Sequence, residues 1–198
     1  MPETTARADV RRNRERLLAA AREAIAADGT EASLRDIARR AEVGIGTLYR
    51  HFPTREALLE AILDTNFDML RERADQLLDS PPGAPLEAFL TWLADVAAGA
   101  RTYQGLPHSI MAALADETSE LHGSCAAMRA SGGQLLRRAQ EAGQVRADVN
   151  VYEVITIVIG LAWAVQQDGG SPELMARLLD VAAYGLAVQP VVAAPQVT

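Results

Sequence analysis

Lysine is absent from this chain of 198 residues, whose 19 basic side chains are all arginines, and cysteine occurs once, at Cys125. A single cysteine excludes an intrachain disulfide and the disulfide-stapled class of secreted proteins, so we expect a reducing compartment. The longest largely apolar run, 154–165, has twelve residues, too short for the roughly 20 residues that span a bilayer. Residues 1–16 lack the apolar segment of a signal peptide. We therefore predict a soluble, cytoplasmic protein without a membrane partner.

The sequence also lacks the local motifs of common enzyme classes. It contains no glycine-rich phosphate loop and no nucleophile elbow. His122 and Cys125 have a spacing that permits metal binding, with His108 as a third ligand, but such pairs arise easily by chance and no Cys/His cluster supports them. Cys125 could sense redox state, although a buried free cysteine usually acts as a small hydrophobic residue. We predict no cofactor, no metal site and no enzymatic activity; a helical catalytic or ligand-storage protein is the alternative.

Charge is unevenly distributed along the chain, whose net charge is −7. Residues 1–52 contain ten arginines and eight acidic residues, a net charge of +2, whereas residues 53–198 contain nine arginines and 18 acidic residues, a net charge of −9. An acidic remainder limits non-specific adhesion, so one end alone is suited to approach phosphates. The all-arginine composition reflects either a genomic coding bias or, at this end, forked contacts with phosphate and guanine.

Apolar residues recur at helical spacing throughout, without alternation of period two and without a hairpin dipeptide. With 49% hydrophobic residues the chain can bury a core. The pattern predicts an all-α fold of nine helices, at about 11–27, two within 33–52, 55–79, 86–99, 108–115, 119–142, 150–167, and one that opens at 171.

Residues 33–52 combine two short helices with a tight turn. Ser33, with Asp36 three positions later, is typical of a helix start, and an apolar stripe follows at helical spacing. The segment 42–44 breaks this helix, and the next one turns Leu48 and Phe52 inward. Its open side carries Thr47, Tyr49, Arg50 and His51. Two helices joined by a short turn, with arginines and hydroxyls outward, predict a DNA-binding helix-turn-helix.

The run Gly46-Thr47-Leu48-Tyr49-Arg50-His51-Phe52, followed by Thr54-Arg55-Glu56-Ala57-Leu58-Leu59, resembles the N-terminal signature of TetR-type transcriptional regulators. The resemblance covers roughly residues 10–65, and the remainder matches only in being helical. It implies a homodimer that binds a palindromic double-stranded DNA operator and is released by a small-molecule effector, with repression as the usual outcome and activation as the alternative. The implied domains are the helix-turn-helix at 1–52, an effector-binding and dimerisation domain at 53–188, and a frayed tail at 189–198.

Phosphate contacts are expected from short or rigid polar groups near the start of the second short helix. Thr47, Tyr49 and His51 carry such groups. The backbone amides at Ser33 and Leu34 open the preceding helix, and a helix N-terminus is itself an anion site. These five residues are therefore predicted to hold the DNA backbone.

Base readout is predicted partly through the resemblance. It implies that Arg35 enters the major groove, where arginine favours guanine through O6 and N7, and that Arg55 meets a phosphate. Family members frequently carry polar base readers where Gly44, Ile45 and Gly46 stand here. The isoleucine could contact a thymine methyl group, and the glycines could allow close approach. We expect modest base discrimination, carried mainly by Arg35, Tyr49 and Arg50.

The resemblance further implies a ligand cavity among the fifth to eighth helices. Aromatic walls and flexible sulfur-containing side chains suit an apolar or aromatic effector, although plain core packing is the alternative for each residue. The loop 101–107 contains glycine and proline and could serve as a lid. The predicted effector-binding residues are Trp92, Tyr103, Met111, Cys125, Met128 and Trp163.

The last two helices are predicted to form the dimer interface. Apolar residues of the eighth helix cover nearly its whole circumference, whereas a surface helix buries only one stripe. A partner subunit could cover the second side; the alternative is a central helix surrounded by its own chain. The resemblance favours the partner, since these helices form a four-helix interface in TetR-like proteins. The predicted interface residues are Ile157, Val158, Leu161, Leu178, Val181 and Tyr184.

Overall fold

Helices account for most of the residues in a computed structural model, which describes residues 2–79, 84–100, 105–167 and 169–187, with side chains from residue 8 onward. Within these ranges there are nine helices and no strand beyond one antiparallel bridge between Val145 and Ala187. The bounds are α1 Pro2–Asp28, α2 Leu34–Arg40, α3 Ile45–His51, α4 Arg55–Asp79, α5 Pro85–Gly99, α6 His108–Ala115, α7 Glu120–Glu141, α8 Val151–Gln167 and α9 Pro172–Leu186. The predicted all-α fold is confirmed.

Helix α1 begins nine residues before the position predicted for it. The added segment has little apolar character, and polar contacts run along it: Arg12 pairs with Asp9 at 3.5 Å and Arg11 with Glu15 at 3.7 Å. Hydrophobic periodicity does not detect a stretch of this kind. The helix ends where Gly29 adopts a φ of +77°, a backbone conformation that glycine takes without steric cost.

The first three helices share a small core. Leu17 and Ala21 of α1 meet Ile37 of α2, Leu48 of α3 and the following Phe52, all of them buried. The turn between α2 and α3 holds Glu42 at a φ of +54°, uncommon for a residue with a side chain. Its carboxylate pairs with Arg16 of α1 at 2.6 Å. This ion pair fastens the turn to α1 and so fixes the orientation of α3.

Helix α4 links this unit to the rest of the molecule. It spans 25 residues, or roughly 37 Å at 1.5 Å per residue. One stripe of its surface, which includes Leu59, Ile62 and Phe67, is buried along nearly the whole length. Helices α1 to α3 therefore lie at one end of a rod whose other end packs within the C-terminal helices.

The centre of the C-terminal part is a tightly filled core between α4, α5 and α7. Trp92 of α5 has no exposed surface, and its Nε1–H donates a hydrogen bond of 2.9 Å to the Leu70 carbonyl of α4. A Cβ added to Gly132 of α7 would lie 2.1 Å from the indole ring. The α7 backbone thus packs directly on Trp92, so only glycine fits at this position.

Helices α8 and α9 lie outside this core. Val154, Ile155, Val158 and Val165 of α8 face the chain's own interior and are buried. Large apolar side chains also cover the opposite surface of the two helices. These residues, which we call the outer face, are Ile157, Trp163, Val181 and Tyr184, with exposed fractions of 50%, 57%, 69% and 72%. No helix in the described ranges is long and apolar enough to cross a membrane.

Candidate nucleic-acid interface

The helix-turn-helix is built by local interactions that the sequence encodes. Ser33 precedes α2 in an extended conformation, and its Oγ accepts a hydrogen bond of 3.3 Å from the Asp36 amide. Ile37 and Ala38 anchor α2 inside, and Leu48 anchors α3. The outward surfaces of α2 and α3 consequently share one side of the molecule.

The N-terminal end of α3 has few side-chain atoms on its exposed surface. Gly44 and Gly46 are exposed, and a Cβ built on either would meet no described atom within 4 Å. Gly44 has a φ of −71°, which any residue adopts. Internal packing and backbone strain therefore do not require glycine at these positions. Ile45 and Tyr49 are 37% and 49% exposed beside them, which leaves an apolar, unobstructed surface for a large partner.

Three arginines around this surface are exposed and form no ion pair with any residue in the described segments: Arg35, Arg40 and Arg50. Neighbouring Arg39 differs, because its Nη2 lies 3.1 Å from the Asp36 carboxylate. Sequence reasoning missed Arg40. Arg39 and Arg40 follow Asp36 by three and four positions, so either could pair with it on the helix surface. Only the structure shows that Asp36 pairs with Arg39.

Three of the other predicted DNA contacts are half-buried, and one is exposed. Thr47 and His51 are half-buried, and His51 lies against Phe52 with ring centroids 6.2 Å apart. Ser33 is exposed and Leu34 half-buried at the start of α2, where the Asp36 carboxylate adds negative charge to the first turn. Their contacts with the DNA backbone remain predictions.

Arg55 is engaged inside the protein. Its Nη1 donates hydrogen bonds of 2.8 Å to the Thr30 carbonyl and 2.7 Å to the Ala32 carbonyl. Thr30 is buried and its Oγ1 donates a 2.8 Å hydrogen bond to the Gly105 carbonyl. Arg55 therefore positions the loop between α1 and α2 against the start of α4, and a phosphate contact by the same side chain remains a prediction.

None of the cavities reported between the described residues is lined by the residues predicted to bind effector. Trp92 and Met128 belong to the filled core, and Cys125 is half-buried. Burial raises the pKa of the Cys125 thiol, which disfavours the reactive thiolate. Tyr103 and most of the predicted lid lie outside the described residues, as does the predicted tail.

Two of these residues are exposed, and their contact with an effector remains a prediction. Met111 is 52% exposed because α6 turns Ile110 inward instead. Trp163 is 57% exposed because α8 places it on the outer face.

An apolar cavity does exist, at a different place. It has a volume of about 430 Å³ and lies between α5, α8 and α9, with walls formed by Leu90, Leu93, Val154, Val158, Leu179 and Leu186. A second cavity of about 500 Å³ shares Ala94, Ala176 and Leu179 with it and extends to Ala26 of α1. We call the two together the α5–α8–α9 cavity. Small residues such as Ala94 and Ala176 form part of its walls and leave space between the helices. The prediction of the effector site rests on bulky side chains, and this criterion does not detect a cavity lined by small ones.

The predicted interface residues divide into two groups. Ile157, Val181 and Tyr184 are exposed on the outer face, and Leu161 and Leu178 are half-buried. Ile157 also borders the α5–α8–α9 cavity. Val158 instead faces the chain's own interior, where it is 1% exposed and lines the α5–α8–α9 cavity, so its place in a dimer interface remains a prediction. A helix that is apolar on all sides does not reveal from its sequence which side faces inward.

The His122 and Cys125 pair has no further ligand nearby. In the described part of the chain no three His, Cys, Asp or Glu residues come close enough to hold a metal ion. The His122 Nδ1 lies 2.9 Å from the Leu114 carbonyl, a contact that joins α7 to α6.

Comparison with known proteins agrees with this architecture. Residues 17–62 match the sequence model of bacterial regulatory proteins of the tetR family. Residues 84–188, more than half of the chain, match that of the C-terminal domain of SbtR-like transcriptional regulators. The HTH-type transcriptional repressor KstR of Rhodococcus jostii is 42% identical over 76 residues, which are 37% of this chain and 34% of the repressor. The match therefore spans about a third of this relative's length.

Solved structures extend the likeness to nearly the whole chain. A TetR transcriptional regulator from Streptomyces coelicolor is 31% identical, with 89% of this chain and 99% of that one aligned at a TM-score of 0.68. A TetR regulatory protein from Mycobacterium vanbaalenii is 33% identical, with 92% and 99% aligned at a TM-score of 0.62. The N-terminal match contains α2 and α3, and the C-terminal match contains α5 to α9. The chain therefore belongs to the TetR family of bacterial transcriptional regulators and is not an enzyme.

Proposed function

We propose that this chain is a homodimeric repressor that binds a palindromic operator through α2 and α3 and releases it when an apolar effector occupies the α5–α8–α9 cavity. The proposal of DNA binding rests on one observation. The N-terminal end of α3 exposes a surface with few side-chain atoms, and the exposed arginines Arg35, Arg40 and Arg50 of α2 and α3 form no ion pair within the described segments. Repression is supported by the name of the Rhodococcus jostii relative, whose similarity to this chain is limited to a third of its length.

The arginines are expected to divide the work of binding. Affinity for DNA comes chiefly from phosphate contacts, and base edges supply specificity. Arg40 lies at the end of α2, and we assign it to a contact with a DNA phosphate. Arg50 lies near the end of α3. Arg35, in the first turn of α2, is assigned to guanine.

Replacing Arg35 by alanine tests this assignment. We expect operator affinity to fall by 1–3 kcal/mol, roughly 5- to 150-fold, with little change on random DNA, because a guanine contact is lost and the phosphate contacts remain. Fluorescence anisotropy with labelled operator and scrambled duplexes measures both. Arg71→Ala is the control, since Arg71 is ion-paired along α4 with Asp68 and Asp75. Equal losses on both duplexes would demote Arg35 to a backbone contact.

Gly46→Ala should separate stability from DNA binding. Alanine favours a helix over glycine by about 0.5–1 kcal/mol, so the melting temperature should rise by roughly 1–4 °C. The added methyl group meets no described atom of the protein, but it should overpack the DNA interface, at a cost of about 1–3 kcal/mol in operator affinity.

Gly123→Ala is the matched control for this experiment. Gly123 is an exposed glycine near the start of α7, also with no described atom within 4 Å of an added Cβ. It should show the thermal gain without the loss of operator affinity. If Gly46→Ala binds operator as wild type does, α3 does not approach DNA closely.

The effector step depends on the rod formed by α4. The α5–α8–α9 cavity borders α5, which packs on α4 through Trp92 and Leu70. Two recognition helices of a dimer must match major grooves about 34 Å apart. An effector that binds more tightly to a conformation with a different spacing lowers the affinity for operator. Because the coupling free energy is reciprocal, operator binding lowers the affinity for effector by the same factor.

A further inference from the structure

A cleft that contains four polar side chains lies between α1, α4 and α5. It has a volume of about 440 Å³ and includes Arg22 of α1, Asn66 and Arg73 of α4, and Asp95 and Gly99 of α5. Ala26 and Ala98 line both this cleft, which we call the Arg22 cleft, and the α5–α8–α9 cavity. The two spaces therefore adjoin.

Two hydrogen-bond donors in the Arg22 cleft lack an acceptor. The Nε of Arg22 and the Nδ2 of Asn66 are both buried and form no hydrogen bond with the described part of the chain. Buried donors are nearly always paired, because leaving one unpaired costs free energy. Both donors belong to residues that line the same cleft, and the described part of the chain supplies no acceptor for either of them.

The cleft also carries an uncompensated positive charge. The Nε of Arg73 lies 3.2 Å from an Asp95 carboxylate oxygen, so these two charges neutralise each other. Arg22 forms no ion pair within the described segments, and its Nη1 lies 4.0 Å from the Met69 sulfur. Burial lowers the pKa of Arg22 because it desolvates the guanidinium. A bound anion would relieve this cost.

The Asn66 amide is held in place by the α5 backbone. A Cβ added to Gly99 would lie 2.8 Å from Asn66 Nδ2 and 3.1 Å from its Oδ1. Glycine at this position lets α5 pack directly against the Asn66 amide.

We infer that the Arg22 cleft binds the carboxylate of an amphipathic effector whose apolar body lies in the adjoining α5–α8–α9 cavity. This inference rests on the proposed effector-responsive function and narrows the effector to an apolar carboxylic acid. A carboxylate accepts hydrogen bonds from a guanidinium and an amide together. The ligand bridges α1 of the DNA-binding unit to α4 and α5, so it acts on the orientation of the DNA-binding helices.

Octanoate and 1-octanol, matched in chain length, test this inference by isothermal titration calorimetry on the full chain. Octanoate should bind wild-type protein about tenfold or more tightly than 1-octanol, because only the carboxylate fills both donors. Arg22→Gln and, independently, Asn66→Ala should weaken octanoate binding and leave 1-octanol binding unchanged. Arg11→Gln is the control, since Arg11 is an exposed arginine of α1 paired with Glu15.

Three results would overturn the inference. They are equal affinities for octanoate and 1-octanol, octanoate affinity that neither cleft substitution changes, and no binding of octanoate. Operator affinity of the ligand-free variants distinguishes this failure from failure of the proposed function. Operator binding with no carboxylate preference refutes only the Arg22 cleft. Absence of operator binding by the wild-type protein refutes the proposed function.

Discussion

Ile157→Asp should convert the dimer into a monomer and abolish operator binding. Ile157 is half exposed on the outer face, where the proposed partner covers it. A carboxylate buried there without a counter-ion costs several kcal/mol, and two-fold symmetry places it twice in the interface. The dissociation constant should rise by roughly a thousandfold or more, measured by analytical ultracentrifugation at micromolar concentration alongside operator binding.

Met111→Asp is the matched control for dimerisation. Met111 is 52% exposed on α6, outside the proposed interface, so the same charge introduced there should leave a dimer that binds operator. Val158→Asp should behave differently from both. Val158 is buried within its own chain, so this variant should unfold instead of dissociating into folded monomers. A wild-type monomer at micromolar concentration would contradict the interface.

Trp92→Ala should lower the free energy of unfolding by about 3–5 kcal/mol, the usual cost of removing a large buried aromatic ring. The substitution opens a cavity against the Gly132 backbone and leaves the Leu70 carbonyl without its indole donor. Urea denaturation followed by circular dichroism measures the loss, and Met111→Ala on the exposed surface of α6 should change little. If Trp92→Ala unfolds as wild type does but loses its response to effector, the ring lines a ligand site instead of the core.

Elements that depend on neighbouring residues could be predicted from the sequence. The Ser33 and Asp36 pair predicted the start of α2, and Ser33 Oγ accepts the Asp36 amide. The range predicted for the eighth helix begins at Asn150, and Asn150 and Glu153 cap α8 because each side chain accepts a hydrogen bond from the amide of the other residue. These interactions span three residues of the chain, so the local pattern contains them completely.

Features that join distant segments could not be predicted. The sequence of α8 is apolar on all sides, and only packing against α5 and α9 shows that Val158 faces inward and Trp163 outward. Arg22 and Asn66 are 44 positions apart and line one cleft because α1 crosses α4. The aromatic and methionine side chains led to the prediction of a ligand cavity. Trp92 instead fills the core, in the space left by the absent side chain of Gly132.

The operator itself tests the central claim most directly. Purified protein mixed with fragmented genomic DNA from its source should protect a short inverted repeat with half-site centres about one helical turn, 34 Å, or a near multiple apart. The same repeat should be recovered with Gly123→Ala and lost with Ile157→Asp, because a dimer must engage both half-sites. Recovery of no preferred sequence, or of a single unrepeated site bound equally well by Ile157→Asp, would contradict a dimeric operator-binding regulator.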